Sequence, residues 1–129
     1  MREKTAEWFN FADRDIVAAE ELLDHPFLTN VVAFHCQQAV EKYLKAVLAE
    51  HDQKIPKIHN LLRLYALAKK YYDLDFDEDV LTLLTNVYSE DRYPFEVGYL
   101  PSGVPSKEES HQFCELAKAV EKRIKEVIV

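Results

Sequence analysis

The sequence predicts an all-α protein, an antiparallel up-and-down bundle of four main helices plus a short fifth. Three observations point there. Glycine occurs only twice in 129 residues, at Gly98 and Gly103, so the tight turns that sheet-rich folds use are scarce. Apolar residues recur at the helical period of about 3.6 through most of the chain. Proline and clustered acids interrupt that period at intervals of a helix length. The length predicts one domain, residues 1–129, and a hydrophobic share of 48% supplies its core without disulfides or metal.

The first helix is expected from Thr5 or Ala6 to about Asp24. Thr5 offers an N-cap and Pro26 a stop. Trp8, Phe11, Ala12, Ile16, Ala19, Leu22 and Leu23 fit its period. The second opens at Thr29 or Asn30 and runs to about Glu50. Val32, Cys36, Ala39, Val40, Tyr43 and Val47 fill one face of it, and its apolar surface is wide, which predicts the most buried helix. Pro56 marks the following connection. The third covers about Ile58 to Tyr72, with Leu61, Leu62, Leu64, Tyr65, Leu67 and Ala68 inside. Asp73 to Asp79 read as an acidic linker in which Asp77 or Asp79 caps a fourth helix carrying Val80, Leu81, Leu83, Leu84, Val87 and Tyr88. Residues 94–105 hold three prolines and both glycines, too many for a helix. Ser106 and Glu109 then form a capping box. The last helix carries Phe113, Leu116, Ala117, Val120, Ile124 and Val127 along one side.

Charge and composition narrow the function. Sixteen cations against 23 acids give a net charge of -7. That removes the usual footprint of a nucleic-acid binder, so a polyanion would need a local basic patch working against the overall field. Cys36 and Cys114 belong to no C-x-x-C pair and read as reduced core thiols of a cytoplasmic protein. No apolar run approaches the roughly 18 residues that a membrane span needs, and the N-terminus leads into an amphipathic pattern with no signal-peptide core.

The least ordinary stretch is Phe34 to Ala46. His35, Gln38, Lys42 and Lys45 recur at spacings of 3, 4 and 3 and so share one helix face. Lined along a groove, an imidazole, an amide and ammonium groups suit an anionic or base-bearing ligand. The plainer reading is a solvated face with Glu41 paired to Lys45 at i,i+4. Tyr88 and Arg92 are four apart and can share the last turn of the fourth helix. The fork of Arg92 suits phosphate or carboxylate, or else it satisfies terminal carbonyls while Tyr93 packs and Pro94 ends the helix. His59 either caps the third helix or meets the stripe across the bundle. Metal is disfavoured: one Glu-x-x-His spacing occurs, Glu108 to His111, with no second copy. No cofactor is expected.

Four pieces in order carry a family likeness. Trp8 through Leu23 has Ala12, Asp15 and Ala19 in rhythm. Phe34-His35-Cys36-Gln37-Gln38-Ala39-Val40-Glu41-Lys42 reads as F-H-x-x-Q-A-x-E-K. His59-Asn60-Leu61 follows, and then Tyr88 with Arg92-Tyr93-Pro94 as Y-x-x-x-R-Y-P. At these residues the chain resembles the HEPN domain family over nearly its whole length. The resemblance implies a small helical bundle that usually dimerises, nucleotide binding in some members, and a frequent partnership with a minimal nucleotidyltransferase as a toxin–antitoxin pair. It implies for many members a metal-independent RNase using R-x4-6-H, with Arg and His of two subunits facing one RNA phosphate. Here Val97, Gly98 and Tyr99 stand where that histidine belongs, and no other arginine is followed by one at that spacing. The expectation is therefore a non-catalytic nucleotide-binding or partner-binding module, a homodimer, with His35, Gln38, Lys42, His59, Arg92 and Tyr93 as ligand residues. The alternative is an RNase with a displaced pairing, such as Arg92 with His59 or His111, so RNA stays open as a partner.

Overall fold

α1 (Glu3–Leu22) and α2 (Thr29–Glu50) form the frame of the molecule, as seen in a computed structural model that describes residues 1–89 and 93–128. Two short helices, α3 (Leu61–Ala68) and α4 (Glu78–Thr85), lead to a 3-10 turn at Pro94–Glu96 and then to the long α5 (Lys107–Val127). The described residues form an all-α bundle, as the sparse glycine and the helical period predict.

Pairings fix the packing. The backbone N–H of Arg2 and the hydroxyl of Thr5 both donate to Glu50 Oε1, so the start of α1 meets the end of α2. Lys125 reaches Asp13 and Lys118 reaches Glu20, which lays α5 antiparallel to α1. α2 runs between them and is buried on most sides: Val32, Cys36, Ala39, Val40, Tyr43 and Val47 are all wholly enclosed. The expected apolar faces of α3 and α5 are the buried ones, from Leu61, Leu64, Tyr65 and Ala68 to Phe113, Val120 and Ile124.

Several local expectations change. α1 starts at Glu3, so Thr5 is inside the helix and gives its hydroxyl to Glu50 instead of capping. Phe11 is 54% exposed, and Phe9 takes the core position in step with Ala12, Ile16 and Ala19. Asn60, not His59, caps α3 by accepting from the backbone N–H groups of Leu62 and Arg63. α3 stops at Ala68, where turns carry the chain through Lys70 and Tyr71. α4 ends at Thr85, whose hydroxyl accepts from the Leu61 N–H, so Tyr88 lies beyond the helix. The Asp77 cap and the Ser106–Glu109 box form as read.

The segment after the 3-10 turn is clamped to the start of α2. The Asn30 side chain donates to the Val97 carbonyl at 2.9 Å. Gly98 has φ of +77°, and a Cβ there would lie 1.8 Å from the Asn30 carbonyl oxygen. Only glycine allows that approach. Leu100 and Gly103 then pair as a small bridge that turns the chain toward α5.

Candidate functional site

Two carboxylates on neighbouring helices organise the polar stripe of α2. Asp15, buried on α1, binds His35 Nδ1 through Oδ1 at 2.8 Å and Lys42 Nζ through Oδ2 at 2.6 Å. Glu41, buried on α2 itself, accepts from Lys45 Nζ at 3.0 Å and meets His59 Nδ1 at 3.0 Å. Glu41 also accepts from the Gln37 amide at 3.1 Å, and Gln38 donates to Gln37 at 2.7 Å. The stripe is thus held by two polar clusters: Asp15 ties His35 and Lys42 of α2 to α1, and Glu41 ties Gln37, Lys45 and, through Gln37, Gln38 to His59 before α3.

The chemistry follows from the acceptors. An ionised carboxylate only accepts, so Nδ1 of each imidazole must carry a proton. That fixes the tautomer of a neutral His35 or His59 and makes Nε2 the acceptor atom of each ring. Their side chains are 27% and 32% exposed, and Lys42 is 23% exposed, so water and ligand reach these three. Lys45 and Glu41 differ: at 7% and 6% they are interior, with Lys45 Nζ also 5.9 Å from the Trp8 ring. The i,i+4 pair that reads as a solvated face is a buried ion pair, satisfied by Gln37 and His59.

Aromatic residues continue the site on one side. The His59 and Tyr88 rings lie 4.2 Å apart, and Phe34 sits edge-on to His35 at 5.3 Å. Phe34 and Tyr88 line a hollow of about 70 Å³ whose wall includes Tyr93, Val97 and Gly98. The clamp at Asn30 and Gly98 brings that wall to α2. Tyr93 is 66% exposed and stacks on Phe95 at 5.5 Å with the rings parallel. Arg92 lies outside the described residues.

Of the residues expected from the sequence, His35 and Lys42 therefore share the Asp15 cluster, Gln38 and His59 belong to the Glu41 cluster, and Tyr93 lines the adjoining hollow. Asp15, Gln37 and Glu41 were missed as site members. Their signal was a polar side chain set into an apolar face: Asp15 beside Ala12, Ile16 and Ala19, and Glu41 between Val40 and Tyr43. His111 stands apart, 3.2 Å from Asp24.

Two further groups lie elsewhere. The Tyr43 hydroxyl contacts Asp13 and Glu121, which Lys125 also bridges. Burial, then the two carboxylates, push that phenol far up, so Tyr43 is a neutral structural tie between three helices. Cys36 and Cys114 are free thiols. Their mutual hydrogen bond and burial hold Cys36 well above the ordinary thiol range. Among the described residues no three His, Cys, Asp or Glu side chains gather as a metal ion would need, and no helix is long and apolar enough to cross a membrane.

Comparison with known proteins agrees with this architecture. The family model described as HEPN domain matches residues 5–127. The crystal structure of TT1696 from Thermus thermophilus superposes with a TM-score of 0.74 at 24% identity, covering 97% of this chain and 98% of that one. At that identity the likeness concerns the fold. No curated protein matches the chain.

Proposed function

The chain belongs to the HEPN domain family, and from that premise we propose that it is a non-catalytic nucleotide-binding module. Lys42 offers its remaining N–H donors to a phosphate, His35 sets its Nε2 acceptor beside them, and the hollow beside Phe34 and Tyr88 receives the edge of a base. The observation that carries this reading is the Asp15 clamp, which holds His35 and Lys42 on one carboxylate next to that hollow. Preorganised donors beside an apolar recess are the common make-up of a small-ligand site. Gln38 supplies an amide to the same edge, Tyr93 lines the hollow, and Arg92 is the further ligand residue that the sequence motif offers.

We further propose a cytoplasmic homodimer that works with a minimal nucleotidyltransferase in a toxin–antitoxin-like pair. Exposed apolar residues support an interface: Phe11, Val17, Phe27 and Phe95 are all more than half exposed. The partnership itself rests on the family resemblance.

One observation favours a second reading, a metal-independent RNase. His35 and His59 each hang from a carboxylate through Nδ1, the arrangement by which an acid–base histidine is oriented. The motif histidine after Arg92 is absent, so this reading needs Arg92 to work with His59.

One titration series tests both. Purified protein is titrated with ATP, GTP and short RNAs in EDTA, and cleavage is read in the same tube. The expected result is saturable nucleotide binding weakened about tenfold or more in Lys42→Ala, the scale of a lost hydrogen bond to a charged group, with no cleavage. Robust cleavage abolished by both Arg92→Ala and His59→Ala would establish the enzyme instead.

A further inference from the structure

Residues 53–72 carry Lys54, Lys57, Arg63, Lys69 and Lys70 and not one acid, in a chain whose acids outnumber its cations by seven. A stretch of that length without Asp or Glu is the local basic patch that the overall charge lacks. The fold gathers part of it. Lys54, from the segment after α2, and Lys70, from the turn after α3, line one hollow of about 180 Å³ with Gln53, Pro56 and Tyr71. An adjoining hollow of about 380 Å³ is lined by Lys69, Lys70, Tyr71 and Tyr72, with Asp73 at its edge. Lys70 and Tyr71 are common to both, so the two form one track. None of these three lysines makes an ion pair among the described residues, although Lys69 sits over the Tyr65 ring at 4.2 Å.

The rings in this track are held rigidly. His51, which caps the C-terminal end of α2, stacks on Tyr71 with centroids 4.2 Å apart and the planes 14° from parallel. The Tyr72 hydroxyl bonds His51 Nε2 at 2.9 Å. A flat, prestacked ring pair flanked by ammonium groups has the two elements that bind a polynucleotide strand without sequence preference: point charges for the phosphates and a π-face for a base. An acidic peptide would use the lysines but has nothing to lay on the rings. His51 lies nine residues, about 13 Å of helix rise, beyond Lys42, so this face begins past the C-terminal end of the stripe's ligand residues.

We propose that this face is a second binding surface, a track for single-stranded nucleic acid in which Lys54, Lys69 and Lys70 meet successive phosphates and Tyr71 takes a base. Its strength is governed by salt, because the ligand's condensed counterions are released on binding. The chain as a whole carries a net charge of -7, so the patch works against the overall field and binding is strongest at low ionic strength.

The test is fluorescence anisotropy of a labelled 15-nucleotide oligo(U) on the full chain across a series of salt concentrations. Lys54→Ala/Lys69→Ala/Lys70→Ala should lower affinity about tenfold or more at low salt. It should also reduce the log–log salt slope by about 2, since each single-strand phosphate contact contributes about 0.7. Tyr71→Ala, which removes the π-face, should weaken oligo(U) about fivefold or more, and Lys42→Ala should leave oligo(U) affinity unchanged while weakening ATP. Thermal unfolding of each variant reports folding, and Lys54→Ala/Lys70→Ala, which leaves the Lys69–Tyr65 contact in place, stands in should the triple variant melt early. Absence of binding at low salt, or equal binding by the lysine variants, overturns the proposal. Loss on Lys42→Ala overturns it by moving the strand to the stripe. Competition by oligo-glutamate as effective as by unlabelled RNA overturns it by assigning the face to an acidic protein segment.

Discussion

Replacing Glu41 with alanine is the sharpest perturbation of the buried half of the network. Glu41 is 6% exposed and Lys45 7% exposed, and they meet at 3.0 Å. Without the carboxylate, the Lys45 ammonium stays interior beside the Trp8 ring, 5.9 Å away. The Gln37 amide and His59 Nδ1 lose an acceptor as well. Removing one partner of a buried ion pair costs about 3–5 kcal/mol, which is a large part of the roughly 5–15 kcal/mol that a domain typically has. With an unfolding entropy of about 2.1 cal/mol/K per residue, the 129-residue chain has about 0.27 kcal/mol/K. Glu41→Ala should therefore lower Tm by about 11–18 °C. Asp15→Ala should cost clearly less, since its partners His35 and Lys42 are 27% and 23% exposed and water can replace the carboxylate. Glu41→Leu/Lys45→Met should recover most of the loss, as apolar replacement of a buried pair usually does. Calorimetry or urea unfolding measures all three. A Glu41→Ala loss below about 1 kcal/mol, well under the cost of stranding a buried charge, or a double variant no better than the single, would refute the argument that the pair is desolvated.

Other expectations concern the frame. Gly98→Ala should loosen the 94–105 segment, because its Cβ would strike the Asn30 carbonyl at 1.8 Å; limited proteolysis should cut that segment faster while helicity stays unchanged. Glu50 is held below its ordinary value of 4.5, chiefly by the Arg2 backbone N–H and then by the Thr5 hydroxyl, against an opposing effect of burial. A depressed carboxyl stabilises the fold above its unfolded value and loses that contribution as pH falls through the folded one, so Glu50→Gln should flatten the fall in Tm between about pH 5 and pH 3. Cys36 and Cys114 should resist a thiol reagent in the folded protein and react together on denaturation, because Cys36 is fully buried and Cys114 nearly so; rapid labelling of Cys36 in the native state would contradict that.

How much could be read from the chain depends on how local each signal is. The Ser106–Glu109 box and the Asp77 cap are complete within a single helical turn, and both formed as read. The face of α2 through Val32, Cys36, Ala39, Val40, Tyr43 and Val47 was legible because it has no competing pattern. α1 was not: Phe9 and Phe11 are two apart and both fit a loose stripe, and only packing against Tyr43, whose ring is 5.9 Å from that of Phe9, decides for Phe9. Thr5 as a cap failed for a similar reason, since its true partner, Glu50, is 45 residues away. Within the site the exposed members His35, Gln38 and Lys42 could be found by spacing. Asp15 could not, because its partners lie on another helix, and Glu41 could not, because its burial and its contact with His59 come from tertiary packing. Lys45 shows the limit best: by spacing it belongs to the polar stripe, yet tertiary packing buries it.

The central claim is that the Asp15-clamped stripe and the aromatic hollow together hold a nucleotide. Titrating isotope-labelled protein with ATP and following amide and aromatic resonances tests it directly. The account predicts saturable shifts concentrated at His35, Gln38, Lys42, Phe34 and Tyr88, lost in Lys42→Ala. Absence of saturable shifts, or shifts gathered instead around Lys54, Lys70 and Tyr71, would contradict it.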